Sequence, residues 1–211
     1  MIIHISGASG SGKTTLGKRL KEYFGNKVIV KDLDDLREEL FVLKEQTNIS
    51  FKKLAKNYAT IYQQHIDNFV KRFKKKNIIF VGLNTYIRGE IYYFKGNRLM
   101  YPKVFFNLHS NYNFYIDADP DTILRQRFDR EYIIYIDWFT TWMKDRKEIL
   151  FNNLMNDEET AKNDVCEALT RIMHFNRIRD DIQSWDDFYK SKGYEFLSQN
   201  KLFNRIIKLM L

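Results

Sequence analysis

Eight residues near the start of the chain, Gly7 to Thr14, limit the possible folds more than any other segment. They read GASGSGKT and match the pattern GxxxxGK[ST] at every fixed position. The apolar run from Met1 to Ser6 is typical of a short buried strand, and a helical pattern runs from Lys13 to about Phe24. A glycine-rich loop between a strand and a helix predicts an α/β fold with a parallel sheet.

The chemistry of this loop predicts that it binds the phosphates of a nucleotide. Its glycines let backbone N–H groups point at phosphate oxygens, and the following helix adds the positive end of its dipole. We expect Lys13 to neutralise the β and γ phosphates of ATP, and the Thr14 hydroxyl to bind Mg²⁺. The predicted nucleotide-binding residues are Gly7, Ala8, Ser9, Gly10, Ser11, Gly12, Lys13, Thr14 and Thr15.

Strands and helices alternate along the rest of the chain. After the loop, further strands are predicted at 27–30, 77–82, 113–117 and 192–197, whereas residues 83–112 give no clear pattern. Asp119 and Pro120 are typical of the N-cap and first turn of a helix. This alternation predicts a three-layer α/β/α fold, in which helices cover both faces of a five-stranded parallel sheet.

The domain organisation follows from the length of the segments between strands. We predict one domain over residues 1–211, because 44% of the residues are hydrophobic and no low-complexity linker interrupts the pattern. Residues 131–191 are too numerous for a simple loop and are predicted to form a helical lid or insertion that closes over the site or shapes the acceptor pocket. The alternative is a packing extension that takes no part in catalysis. Trp138 and Trp142, one turn apart in this insertion, are expected to lie in its core, and the alternative is that they stack on a nucleobase.

Acidic residues follow the second strand. Carboxylates at the carboxyl end of a strand next to the loop strand lie beside the crevice where open α/β sheets bind ligands. Asp34 can orient or deprotonate a substrate hydroxyl there, and Asp32 can bind Mg²⁺ or hold the substrate. The alternative is that both only favour the N-terminus of the next helix, as acidic residues do.

The loop, the triplet Asp32-Leu33-Asp34 and the strand layout together resemble the P-loop small-molecule kinases, the group of nucleoside, nucleotide, shikimate and gluconate kinases. In those enzymes the second Asp of the triplet faces the substrate, which implies that Asp34 does so here. The resemblance also implies that adenine lies near Gln199 and Asn200, after the last strand. Shikimate kinases carry a run of glycines after the third strand. The sequence here is Val81-Gly82-Leu83-Asn84, which argues against shikimate and also lacks a Walker B aspartate.

A second resemblance concerns Asp34 to Arg37, which is similar to the DDxR of polynucleotide 5′-kinases. It implies that Asp34 is the general base and that Arg37 contacts a substrate phosphate. The resemblance to the small-molecule kinases further implies that Arg127 and Arg130 are lid arginines that clamp the transferred phosphoryl group. Arg88, after the third strand, is a further candidate for an acceptor phosphate. A solvated helix face is the alternative for Arg127 and Arg130.

Composition restricts the remaining possibilities. The net charge of +8 favours polyanionic partners, either a free nucleotide or a nucleic acid. The single cysteine fits a reducing compartment, and we recognise neither a signal peptide nor a membrane span, so we expect a cytoplasmic protein. We predict an ATP-dependent kinase of a nucleoside or nucleotide. The alternatives are a polynucleotide 5′-kinase and a nucleotide-binding ATPase or switch module.

Overall fold

The computed structural model of the protein describes residues 1–47, 51–85, 91–94, 97–100, 104–173 and 175–211. Strands and helices alternate in it. In chain order they are β1 (Ile2–Ser6), α1 (Lys13–Phe24), β2 (Val28–Asp32), α2 (Leu33–Thr47), α3 (Phe51–Arg72), β3 (Asn77–Val81), β4 (Ile91–Phe94), β5 (Asn97–Met100), β6 (Tyr112–Ile116), α4 (Pro120–Asp145), α5 (Lys147–Asn156), α6 (Glu158–Met173), α7 (Phe175–Ser191), β7 (Glu195–Leu197) and α8 (Gln199–Met210).

The central sheet is parallel and has the strand order β2-β3-β1-β6-β7. Strand β1, which leads into the phosphate-loop motif, is therefore the middle strand. Strand β1 pairs with β3 on one side and with β6 on the other. The strands that follow β1 in the chain, β2 and β3, lie on one side of it, and β6 and β7 lie on the other side, so the strand order reverses next to β1. Ligands of open α/β sheets bind at such a point.

Helices cover both faces of this sheet. Alternate residues of β3 point to opposite faces: Ile78 and Phe80 pack in a core with α2 and α3. On the other face, Val81 lies near Gly17 of α1, where a Cβ would be 3.3 Å from the valine side chain. These contacts confirm the predicted three-layer α/β/α fold with its five-stranded parallel sheet.

The described residues differ from the sequence prediction in several places, and the last strand, β7, is shorter than predicted. An antiparallel hairpin, β4 and β5, lies in the segment 83–112 that gave no clear pattern. The segment Asp32 to Asp35 was expected to open the following helix, but strand β2 extends to Asp32, so this carboxylate is the last residue of the strand. Helix α4 begins at Pro120 with Asp119 as its N-cap, as predicted, but it continues past residue 131 to Asp145.

The chain divides into two compact units. The first, here called the sheet unit, comprises residues 1–7, 11–117 and 189–211. The second, the helical unit, comprises residues 8–10 and 118–188. That one domain spans 1–211, with a lid at 131–191, stays a prediction.

The helical unit has its own small core and a partly apolar surface. Ala8, Ile123, Leu124, Ile178 and Ile182 form a buried cluster in it. The expectation that Trp138 lies in the core is wrong, because 53% of its surface is exposed. Among the described residues, no helix combines the length and the apolar character needed to cross a membrane.

Candidate nucleotide-binding and phosphoryl-transfer site

The phosphate-loop motif turns sharply into α1. Gly12 precedes the helix with φ of 87°, in the left-handed region where glycine avoids the strain of a side chain. The Gln199 side chain of α8 donates a hydrogen bond to the Gly12 carbonyl at 3.0 Å. The Lys13 ammonium donates to the Gly7 carbonyl at 2.8 Å. Lys13 therefore lies along the loop that is predicted to hold the phosphates.

Gly12 is also a point of close approach. A Cβ on this residue would lie 2.8 Å from the Gln199 amide nitrogen, which is closer than a real side chain tolerates. Replacing Gly12 with alanine therefore costs about 1 to 2 kcal/mol for the left-handed backbone and also forces the end of the Gln199 side chain to move away from the Gly12 carbonyl. Gly193 offers a matched control, since its φ is +74° and nothing lies within 4 Å of its Cβ position.

We expect both Gly12→Ala and Gly193→Ala to lower the melting temperature without ligand. Only Gly12→Ala should also abolish the rise in melting temperature that ATP and Mg²⁺ cause, because the added methyl displaces Gln199 and distorts the loop. Thermal unfolding with and without ATP separates the two effects. If ATP and Mg²⁺ raised the melting temperature of Gly12→Ala as much as that of the wild type, ATP binding would not depend on the left-handed backbone at Gly12.

A second group lies where β2 ends. The Thr14 hydroxyl donates to the Asp32 carboxylate at 3.4 Å, so the two predicted metal ligands are neighbours. The other Asp32 oxygen accepts the backbone N–H of Asp34 at 2.9 Å. Burial raises the pKa of Asp32, because the charged carboxylate loses part of its hydration, and a bound cation would offset this effect.

Oxygen ligands on a nearby carboxylate and hydroxyl fit Mg²⁺, which keeps several waters and takes few protein ligands. The described residues contain no group of three or more His, Cys, Asp or Glu that could hold a metal by themselves. A magnesium ion here would therefore depend on the nucleotide phosphates and water for its remaining ligands.

We expect Asp32→Asn to raise the Mg²⁺ concentration needed for ATP-dependent stabilisation by about 10- to 100-fold, as loss of a metal-orienting carboxylate does elsewhere. A magnesium titration of the melting temperature at saturating ATP measures this. Asp35→Asn, at an exposed neighbouring carboxylate, should leave the titration midpoint unchanged. Equal magnesium midpoints for Asp32→Asn and the wild type would show that Asp32 does not take part in binding the metal.

Asp34 and Arg37 form an ion pair at the start of α2. One Arg37 nitrogen lies 2.6 Å from the Asp34 carboxylate, and another donates to the Leu83 carbonyl after β3. The Asp34 side chain is 72% exposed, whereas that of Arg37 is 11% exposed. Arg37 thus joins the ends of β2 and β3, and its geometry suits holding Asp34 better than reaching out to a substrate.

The segment after β3 is held tightly against the end of β2. Gly82 has φ of 119°, and a Cβ there would lie 3.2 Å from Leu33 and 3.4 Å from an Asp32 carboxylate oxygen. Its carbonyl accepts a hydrogen bond from His4 Nε2 at 2.9 Å. Gly82 therefore packs against the end of β2 and the start of α2, and Leu83 is joined to α2 through Arg37, at the position where the Walker B aspartate is lacking.

Sequence reasoning missed a buried polar network beneath this segment. Because the Gly82 carbonyl can only accept, His4 Nε2 carries a hydrogen, and Nδ1 of the neutral ring accepts from the Tyr194 hydroxyl at 2.7 Å. The Tyr189 hydroxyl donates to the Asn84 side chain at 3.0 Å, and Asn84 donates to the Phe106 carbonyl at 3.0 Å. Only the polar positions within an apolar strand pattern, such as His4, signal such a network.

Burial dominates the titration of this network. It lowers the pKa of His4 to about 4 and raises that of Tyr189 to about 12. Burial also raises the pKa of Tyr194. All three side chains are therefore neutral at pH 7, which preserves the donor and acceptor roles just described.

The predicted arginines lie on α4, in the helical unit. Arg130 donates to the Glu131 carboxylate at 2.6 Å, and Arg127 lies 3.8 Å from the same carboxylate. A Cβ on Gly10 would lie 2.9 Å from the Arg127 side chain, so Arg127 touches the phosphate-loop motif within this unit. Thr15 is exposed in the first turn of α1. Arg88 lies outside the described residues.

No protein-family model and no curated protein matches the sequence. Among solved structures, an uncharacterised protein from Eubacterium ventriosum aligns with 99% of this chain and 97% of its own, at 17% identity and a TM-score of 0.43. A shikimate kinase from Bacteroides thetaiotaomicron covers 100% and 98% at 13% identity and a TM-score of 0.39. A shikimate kinase from Acinetobacter baumannii, in complex with shikimate, covers 99% and 92% at 11% identity and a TM-score of 0.33. TM-scores this low carry no conclusion about substrate, and the fold assignment rests on the strand order and helix layers.

Proposed function

We propose that the chain is an ATP-dependent phosphotransferase whose acceptor is a nucleoside or nucleotide. The observation that carries the proposal is the meeting of three groups at one edge of the sheet: the loop that ends in Lys13 and Thr14, the Asp32 carboxylate 3.4 Å from the Thr14 hydroxyl, and Asp34 paired with Arg37. A phosphate cradle alone fits any nucleotide-binding protein. A second substrate also needs a group that orients or deprotonates its hydroxyl, and the exposed Asp34 carboxylate, held by Arg37, can supply this group.

In this mechanism the loop amides and Lys13 hold the β and γ phosphates. Thr14 and Asp32 would hold Mg²⁺, which supplies charge neutralisation to the phosphates when it is bound. Asp34 accepts the proton of the acceptor hydroxyl. The oxygen of that hydroxyl forms a bond to the γ phosphorus, and the bond from this phosphorus to the oxygen that bridges to the β phosphate breaks, which releases ADP. Arg37 keeps the Asp34 carboxylate in one orientation.

Arg127 and Arg130 would neutralise charge on the transferred group, which guanidinium groups do well because they stay protonated and present a planar fork. Two observations within the helical unit support this role. Arg127 lies against Gly10 of the loop, and both arginines share Glu131 as a partner, which brings them together on one face of α4.

A polynucleotide 5′-kinase is the second candidate, and the net charge of +8 is the observation that favours it. The packing of Arg37 counts against it, since two donors of this side chain bind groups of the protein itself. If the acceptor is a nucleic acid, its binding should weaken steeply with salt, because counterions are released from the phosphates.

A transfer assay with γ-labelled ATP tests the proposal. The acceptors are nucleosides, nucleoside monophosphates and 5′-hydroxyl oligonucleotides, each at low and high salt, beside a reaction without acceptor. The proposal predicts label on a nucleoside or nucleotide. Label on oligonucleotides alone, lost at high salt, would favour the polynucleotide kinase. Release of labelled phosphate without any labelled acceptor would identify an ATPase and overturn the proposal.

A further inference from the structure

The helical unit contains a cavity of about 230 Å³ that none of the roles above uses. One of its walls is a face of α4 with Arg127, Glu131, Tyr135 and Trp138, whose spacing of three or four residues aligns them. The opposite wall consists of Ile172 and Met173 at the end of α6, and of Ile178 and Asp181 in α7. The α4 wall thus carries two aromatic rings and the Glu131 carboxylate, and the other wall is apolar apart from the Asp181 carboxylate.

One residue of the cavity lining contacts Gly10, which belongs to the helical unit. Arg127 lines the cavity and also lies against Gly10, as described above. From Arg127 to Trp138 the lining follows α4 for about 16 Å, at 1.5 Å per residue. A ligand whose ring occupied the cavity would therefore have its anionic end near Gly10, Arg127 and Arg130.

The volume indicates how much of a ligand could enter. Pockets that enclose a whole small-molecule ligand measure about 300 to 1,000 Å³. A cavity of about 230 Å³ falls below this range and suits one ring system rather than a complete nucleotide. Tyr135 and Trp138 lie edge to face, with ring centroids 6.1 Å apart, and Trp138 is half-exposed, so its ring offers free surface for stacking.

The polar lining indicates which ring. The Glu131 carboxylate accepts from Arg130 and from the Tyr135 hydroxyl at 2.7 Å, and each of its oxygens has a further lone pair. Burial by itself raises the pKa of Glu131, but the hydrogen bonds from Arg130 and Tyr135 and the charges of the two arginines together outweigh it and lower the pKa, which keeps Glu131 an acceptor at neutral pH. Arg127 Nε is buried and donates no hydrogen bond within the described part of the chain. Carboxylates beside aromatic rings favour a ring that carries an amino group.

We propose that this cavity binds a nucleobase with an exocyclic amino group, stacked on Trp138 and hydrogen-bonded to Glu131. The inference rests on the proposed function in that the ligand is one of the two nucleotide or nucleoside substrates. The base can belong to the phosphate donor or to the acceptor, and both sources present the same chemistry to the cavity.

Calorimetric binding and steady-state kinetics on the full chain separate these sources. Trp138→Leu removes the stacking surface, and base stacking of this kind is worth about tenfold or more in affinity. If the base is that of the donor, Trp138→Leu raises the Kd for ATP by about tenfold and leaves the Kd for inorganic tripolyphosphate unchanged. If the base is that of the acceptor, Trp138→Leu raises the Kd for adenosine or cytidine and leaves the Kd for ATP unchanged.

Two comparisons make the test specific. Trp142→Leu is the matched control, because Trp142 lies one turn further along α4 and does not line this cavity. Its affinities should equal those of the wild type. Adenosine should bind more tightly than inosine, and cytidine more tightly than uridine, by about tenfold, and Glu131→Gln should reduce that preference.

The outcome distinguishes this inference from the proposed function. Wild-type affinities for every ligand in Trp138→Leu, or equal losses in Trp138→Leu and Trp142→Leu, would overturn the base site even if phosphoryl transfer occurs. Loss of base binding in Trp138→Leu alone would support the site, even if the transfer assay showed only ATP hydrolysis.

Discussion

Asp34→Asn is expected to lower the rate of phosphoryl transfer by about 10²- to 10⁴-fold, the range that a general base contributes. Asparagine has nearly the same shape, and its side-chain oxygen can still accept from Arg37, so the turn after β2 should keep its structure. What is lost is the ability to take the proton of the acceptor hydroxyl. Steady-state transfer of labelled phosphate to the best acceptor measures the effect as kcat.

Asp35→Asn is the matched control for this prediction. Asp35 is adjacent in the sequence, exposed and in the same first turn of α2. Its substitution should leave kcat within about twofold of the wild type, in line with the small effect of most surface substitutions. Asp34→Asn should retain the wild-type affinity for ATP, because Asp34 faces the acceptor. Full transfer activity in Asp34→Asn would show that another group, with Asp32 the first candidate, acts as the base.

The largest expected effect on stability comes from His4, which is fully buried. Its pKa is about 4 in the folded protein and 6.5 in the unfolded chain. Above pH 6.5 neither state is protonated, and the stability is complete. As the pH falls below 6.5 the unfolded state takes up a proton that the folded state excludes, so the free energy of unfolding falls by about 1.4 kcal/mol per unit, roughly 3 kcal/mol in all by pH 4.

Urea unfolding at several pH values between 7.5 and 4.5 tests this prediction. His4→Gln keeps a donor for the Gly82 carbonyl but cannot titrate, so it should be less stable than the wild type at pH 7.5 and the difference should shrink towards pH 4.5. His109→Gln removes an imidazole that pairs with the Asp67 carboxylate at the surface, and it should keep most of the wild-type fall in stability, because a surface ion pair contributes little. If the difference in the free energy of unfolding between His4→Gln and the wild type stayed constant over this pH range, the folded protein would not keep His4 unprotonated.

Much of the fold could be predicted because its signals are local. The GxxxxGK[ST] motif requires a strand before it and a helix after it, and β1 and α1 stand where the motif predicted them. The N-cap at Asp119 followed from residue types whose backbone preferences act over a few residues. The hairpin at β4 and β5 was not predicted, because its strands are only four residues long and the Lys95-Gly96 sequence between them is a weaker hairpin signal than Asn-Gly or Asp-Gly.

The candidate site was only partly predictable, because only some of the contacts that form it are local in the sequence. The Asp32-Leu33-Asp34 triplet is visible in the sequence, and its position at the end of β2 follows from the strand pattern. The contacts that hold it come from distant residues: Arg37 reaches Leu83, and His4 reaches Gly82, 78 positions along the chain. Single-sequence periodicity carries no information about such pairs. The exposed position of Trp138 was missed because apolar residues at helical spacing are usually buried.

The measurement that tests the central claim most directly is the calorimetric affinity for ATP in the presence of Mg²⁺. The wild type should bind one ATP per chain. Lys13→Ala should weaken binding by at least about tenfold, because a charge-assisted hydrogen bond to a phosphate is lost. Lys18→Ala, at an exposed lysine of the same helix, should match the wild type. Unchanged ATP affinity in Lys13→Ala, or no ATP binding by the wild type, would contradict the assignment of Gly7 to Thr14 as the phosphate site.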